Sequence, residues 1–113
     1  MKTALLAVAA AVVFVALIYP SRTHRESRWP NGNLKAAWSE DGNGVPHGIS
    51  RNFREDGTLD TETRFVHGVW TESRDFYRSG QIQSERTVTS DGDRVRMWNE
   101  GGELIRDVIV TRE

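Results

Sequence analysis

Three carboxylates, Glu62, Glu85 and Asp107, each stand three residues after an aliphatic side chain, at Leu59, Ile82 and Leu104. Carboxylates brought into one row could supply the paired acid and base that glycoside hydrolysis requires. The competing reading is that a periodic sequence produces periodic charge, neutralised by arginines on neighbouring strands; Arg64 and Arg86 are close by in sequence. Three histidines, His24, His47 and His67, offer no H-x-x-x-H or H-E-x-x-H spacing, and the chain has no cysteine to join them. A metal site is therefore not indicated. No serine lies in a G-x-S-x-G context and no G-x-x-x-x-G-K-[ST] loop occurs. His47 precedes Gly48 and reads as a structural turn residue, not as a ligand or general base. The chain is expected to be non-catalytic and to need no cofactor.

The elements that must position these residues are short and turn-bounded. All ten glycines follow residue 30, most of them behind Asn, Asp, Ser or His, as in Asn31-Gly32, His47-Gly48, Asp56-Gly57, Ser79-Gly80 and Asp91-Gly92. Glycine supplies φ > 0 without steric cost, and Asn or Asp before it favours a tight turn. Between the turns, Ile49/Arg51/Phe53, Leu59/Thr61/Thr63/Phe65, Ile82/Ser84/Arg86/Val88 and Leu104/Arg106/Val108/Val110 alternate with the period of a strand. No window beyond Pro20 sustains a helical period.

An internal repeat organises these runs. An aromatic, a glycine and an aliphatic recur as Trp29-Gly32-Leu34, Phe53-Gly57-Leu59, Tyr77-Gly80-Ile82 and Trp98-Gly102-Leu104, with the glycines 25, 23 and 22 residues apart. Ala37 takes the place of the acid in the first copy. Gly32, Gly48, Gly57, Gly80, Gly102 and His47 are the expected structural positions. About four two-stranded units predict an all-β, single-layer antiparallel meander of seven or eight strands, with the four repeat aromatics forming a ladder on one face.

These units resemble MORN-type repeats, and are most similar to the MORN-variant repeats of YwqK-like toxin–antitoxin system antitoxins. Asn43-Gly44-Val45-Pro46-His47-Gly48 fits a G-x-x-H-G core, followed by Asp56-Gly57. A G-x-L-x-x-E unit appears as Gly57-Thr58-Leu59-Asp60-Thr61-Glu62 and again, with isoleucine, as Gly80-Gln81-Ile82-Gln83-Ser84-Glu85. Thr71-Glu72 stands where a further Asp-Gly would fit, and the third unit is shortened around Asp91-Gly92. The resemblance spans roughly 29–110 and implies a repeat sheet used for protein or membrane association, with an antitoxin or immunity role as one form of it.

Ahead of the repeat domain (29–113) lie two further segments. Residues 1–20 carry Lys2 and an unbroken apolar run, Ala4 to Tyr19. As a helix its 16 residues rise about 24 Å, near the lower limit for a span. The run ends Ala16-Leu17-Ile18-Tyr19-Pro20 without an A-x-A pattern, and Ala7-Val8-Ala9 comes too early to leave an apolar segment before it. An uncleaved single-pass signal-anchor is therefore expected over a cleaved signal peptide, with the membrane contacted through residues 4–19. Residues 21–28 read as a basic linker. Its arginines would hold the repeat domain in the cytoplasm on a strict charge count. The short basic start followed at once by the apolar run favours the exported side, periplasmic or extracellular.

Removing Lys2 leaves 14 basic against 16 acidic residues, which argues against nucleic acid as a partner. The expected partner is another protein, of a type the sequence does not specify, and no oligomeric state is implied. Trp70, Arg74, Phe76 and Trp38 are the candidate contact residues, because Trp, Tyr and Arg dominate binding hot spots. Trp70 is expected to be the most open of them. The alternative is a binding module for cell-envelope polymers, working through exposed Trp, Tyr and Arg.

Overall fold

The computed structural model describes residues 22–112. The anchor expected over residues 1–20 lies outside the described residues. Among those described, there is no helix. Eight strands follow one another: β1 (Thr23–Arg28), β2 (Leu34–Glu40), β3 (Gly48–Phe53), β4 (Leu59–Val66), β5 (Val69–Phe76), β6 (Ile82–Thr89), β7 (Gly92–Trp98) and β8 (Leu104–Val110). They form one antiparallel sheet in sequence order, the expected meander. The segment read as a basic linker contains β1, with Arg25 opposite Trp38 and Glu26 opposite Ala37. Its charged sequence is compatible with a strand because, among the described residues, β1 pairs only with β2 and both its faces are open to water.

The four hairpins β1–β2, β3–β4, β5–β6 and β7–β8 close on the same five-residue turn. In the second, the Arg54 N–H donates to the Thr58 carbonyl at 2.8 Å and the Gly57 N–H to the Arg54 carbonyl at 2.9 Å. The same pair of bonds recurs at Trp29–Asn33, Tyr77–Gln81 and Asn99–Glu103. The fourth turn residue must enter the left-handed region, and Gly57 does so with φ +91°. In the second turn the Asp56 carboxylate also accepts the Thr58 N–H at 2.9 Å, which fixes the bend locally.

A register shift accompanies each of these turns. It sets Phe53 opposite Leu59, Phe76 opposite Ile82 and Trp98 opposite Leu104, skipping one residue on the second strand. The simple alternation expected through Leu59/Thr61/Thr63/Phe65 is interrupted there, because a bulge re-aims the aliphatic side chain. The aromatic ladder needs a matching correction. Phe53 and Trp98 are the last residues of their strands, whereas Trp29 and Tyr77 are the first residues of their turns. The strand-end aromatic of the third unit is Phe76.

The first turn position has its own task. The Trp29 indole N–H donates to the Phe53 carbonyl at 3.1 Å, and the Tyr77 hydroxyl to the Trp98 carbonyl at 2.9 Å. Between them, the Arg54 guanidinium donates to the Phe76 carbonyl. Three unrelated side chains thus make one equivalent bond from each unit to the next. Packing contributes less than in a two-layer fold: no apolar residue is fully buried among those described. Hairpin turns, cross-strand pairs worth roughly 0.2–1 kcal/mol each and these inter-unit bonds hold the sheet.

Candidate functional site

The register aligns one row of side chains across the sheet: Glu26 and Ala37, then Arg51, Glu62, Arg74, Glu85, Arg96 and Asp107, each opposite the next within its paired strands. Paired residues share a face, so β3 to β8 present alternating guanidinium and carboxylate groups along one line. Arg51 Nε lies 3.0 Å from Glu62 Oε2. Arg74 reaches both neighbours, with Nη1 3.5 Å from Glu62 Oε1 and Nε 3.0 Å from Glu85 Oε2. Arg96 completes the clasp on Glu85 through its other oxygen. Arg94 holds Asp107 with two bonds, of 3.0 and 2.7 Å.

The repeat carboxylates therefore form a row paired with arginines, but not with the arginines nearest in sequence. Arg64 pairs with Glu72 at 3.1 Å and Arg86 with Asp93 at 3.3 Å. Burial pushes the Glu85 carboxyl up, yet the hydrogen bonds from Arg96 and Arg74 outweigh it and leave the group below its ordinary value. The two bonds from Arg94 lower Asp107 likewise. Both are held as anions, the opposite of what a general acid near neutral pH requires.

Two residues beyond each row arginine stands an aromatic on the same face: Arg51 and Phe53, Arg74 and Phe76, Arg96 and Trp98. The Arg96 guanidinium lies 5.6 Å from the centre of the Trp98 ring, a cation–π contact. This R-x-aromatic element sits six and four residues before the turn glycine in units two to four. The first unit has Glu26 and Arg28 instead. The spacing was present in the sequence; counting aromatics without the arginine two residues earlier conceals it.

The four candidate contact residues divide between two faces. Arg74 and Phe76 belong to the ladder face. Trp38 and Trp70 belong to the other: Trp38 stands opposite Arg25 and donates its indole N–H to Glu40 Oε1 at 3.1 Å, while Trp70 stands opposite Phe65. Trp70 is half-buried, not the open aromatic expected. Between these tryptophans and the turns, the second face carries small polar side chains, with Asn52 bonded to Thr61 at 3.0 Å and Ser84 to Asp75 at 2.7 Å.

At the opposite rim, His47 does more than tolerate a turn. Its Nδ1 accepts the His67 N–H at 2.9 Å, and the two rings stack with centroids 4.4 Å apart. His67 Nδ1 is 3.5 Å from Asp41 Oδ2. The N–H groups of Asn43 and Val45 bond the same carboxylate and hold it below its usual range. Among the described residues no group of His, Asp and Glu is placed to hold a metal ion. This cluster ties the β2–β3 loop to the β4–β5 turn. No protein-family model, curated protein or solved structure matches the chain.

Proposed function

We propose that the chain is a membrane-anchored, non-catalytic β-repeat module that associates with another protein through its ladder face. One observation supports this most: the three R-x-aromatic pairs repeat on alternate strands of one face of the sheet. Arginine and aromatic side chains provide large contact area and directed hydrogen bonds, and they dominate interface energetics. The ladder arginines are held in place by Glu62 and Glu85, so less of their freedom is lost on binding. The apolar run of residues 4–19 would anchor the module, with the sheet on the exported side. Its MORN-like repeats, if they follow YwqK-like antitoxins in function as well as in spacing, would make the association an antitoxin or immunity one.

A second reading has its own support. Row arginines on alternate strands recur at two strand spacings, roughly 9–10 Å, a period that suits a repeating envelope polymer. One experiment separates the two. A photo-crosslinking residue in place of Phe76, in the full-length membrane-embedded chain, should yield a protein adduct that Arg74→Ala abolishes. Glycan adducts instead of protein would transfer the function to polymer binding. No adduct at position 76 that depends on Arg74 would remove the ladder face as the site. Carbonate extraction and protease access to intact spheroplasts test the anchor and its side.

A further inference from the structure

We propose that the outer side of β8 is a strand-addition site for an extended peptide segment carrying one arginine, with an apolar side chain two residues away on each side. The inference rests on the protein-association reading above, but names a second surface with its own chemistry.

Strands β4, β6 and β8 hold equivalent places in the repeat, each with one acid in the ladder row. Inside the sheet that acid has arginines on both sides: Glu62 lies between Arg51 and Arg74, and Glu85 between Arg74 and Arg96. Asp107 has β7 on one side, where Arg94 bonds both of its oxygens, and, among the described residues, no strand on the other. The side chains two residues before and after the acid differ as well. They are Asp60 and Arg64 on β4, Gln83 and Thr87 on β6, but Ile105 and Ile109 on β8. Those isoleucines are 61% and 49% exposed. An edge strand normally carries charge to discourage pairing. Here the strand that ends the sheet among the described residues is more apolar on this face than its interior counterparts.

Continuing the ladder by one strand defines the occupant. An antiparallel segment must place an arginine opposite Asp107, as Arg74 stands opposite Glu62, and apolar side chains opposite Ile105 and Ile109. Main-chain bonds to the free edge would supply affinity, and the alternate side chains specificity. A second copy does not offer this in the register that continues the row: β1 would bring Glu26 to Asp107, and β8 paired about its own centre would bring Asp107 to Asp107. Residues 1–20 contain no arginine. The required spacing occurs in this chain as Ile49-Ser50-Arg51-Asn52-Phe53 on β3, which makes residues 48–54 a suitable probe.

A fluorescent peptide of sequence GISRNFR should bind the full-length chain in detergent micelles saturably by anisotropy. Changing its central arginine, the one corresponding to Arg51, to glutamate should weaken binding at least tenfold. Asp107→Arg in the protein should reverse that preference, and Ile105→Lys should weaken the original peptide with the sheet circular dichroism unchanged. Arg74→Ala with Phe76→Ala should leave peptide binding intact, separating this edge from the ladder face. Absence of binding, equal binding of the glutamate peptide, or a preference unaltered by Asp107→Arg would overturn the proposal, even if ladder-face capture persists. Sedimentation as a dimer that Ile105→Lys disperses would assign the edge to a second copy and overturn it equally.

Discussion

The two edges of the sheet are built on opposite rules. Strand β1 is THRESR, with polar side chains throughout. Strand β8 is LIRDVIV, with Leu104, Ile105, Ile109 and Val110 all exposed. The polar contacts of Glu26 stay within its own strand, to His24 at 3.1 Å and Arg28 at 3.2 Å. Those of Asp107 cross to Arg94 on β7. A repeat needs its end units to differ from its interior ones, because an interior face left open invites pairing. The first unit meets that need by exchanging the R-x-aromatic element for Glu26 and Arg28. The last described unit keeps the acid and adds apolar neighbours, the composition on which the proposed strand addition rests.

The largest expected effect tests how firmly β8 is joined. Gly92 is buried at the start of β7 with φ +137°, and a Cβ there would come within 2.4 Å of the Val110 carbonyl oxygen. Gly92→Val combines backbone strain with a backbone clash and should destabilise the chain by on the order of 3 kcal/mol, with β8 released first. Gly32→Val at the β1 turn meets nothing within 4 Å and should cost only its conformational strain, about 1–2 kcal/mol. Urea titration and amide exchange of β8 and β1 measure both. Equal losses at the two ends would remove the asymmetry.

Next in size are the bonds that link each unit to its neighbour. Tyr77→Phe removes the bond to the Trp98 carbonyl near β8, and Trp29→Phe the bond to the Phe53 carbonyl near β1. Each should cost about 1 kcal/mol in denaturant titrations. If Arg54→Met, which breaks the middle bond to Phe76, costs nothing, these are not equivalent links.

Much of this was legible in sequence. Turn glycines and alternating runs define the meander, and the spacing of Leu59 to Glu62 and Ile82 to Glu85 defines the acid row. Three things were not. Register shifts beside the turns depend on cross-strand pairing, so parity alone misplaced Leu59, Ile82 and Leu104. Arginine partners follow from strand neighbours, which is why Arg51, Arg74 and Arg96 displaced the nearer Arg64 and Arg86. The first turn position is filled by Trp29, Arg54 and Tyr77, whose shared role is invisible to residue type because it rests only on a donor reaching the next carbonyl.

Acid should separate the edges more gently. The folded pKa of Asp107 is lowered chiefly by its hydrogen bonds to Arg94, and that of Glu85 is lowered on balance by Arg96 and Arg74 despite burial. A depressed folded pKa stabilises the fold above the unfolded value, and the contribution is lost as pH falls through the folded one. Stability should therefore be flat near neutrality and decline below the ordinary carboxylate range of about pH 4. The Glu26 carboxyl is lowered too, first by its bond with His24 and then by Arg28, but its protonation breaks no bond between strands. Amides of β8 should lose protection before those of β1 on acidification, and Asp107→Asn should erase most of that difference. Simultaneous loss would show that the β7–β8 ion pair does not hold the edge.

The smallest expected effect bears most directly on why β8 is apolar. Ile105 is mostly exposed and Ile109 about half exposed, so replacing either with lysine, whose stem can cover the same surface, should change folding stability by no more than about 0.5 kcal/mol. Lysine at an edge is also what a protected strand would carry, as β1 illustrates with Arg25 and Arg28. Neutral stability would mean that folding does not require isoleucine at these places, which leaves the apolar surface free for the proposed contact with another chain. A loss approaching that of Gly92→Val would show instead that Ile105 and Ile109 pack against the sheet itself. The contrast between the two edges would then reflect folding, and the outer side of β8 would lose its case as a binding site.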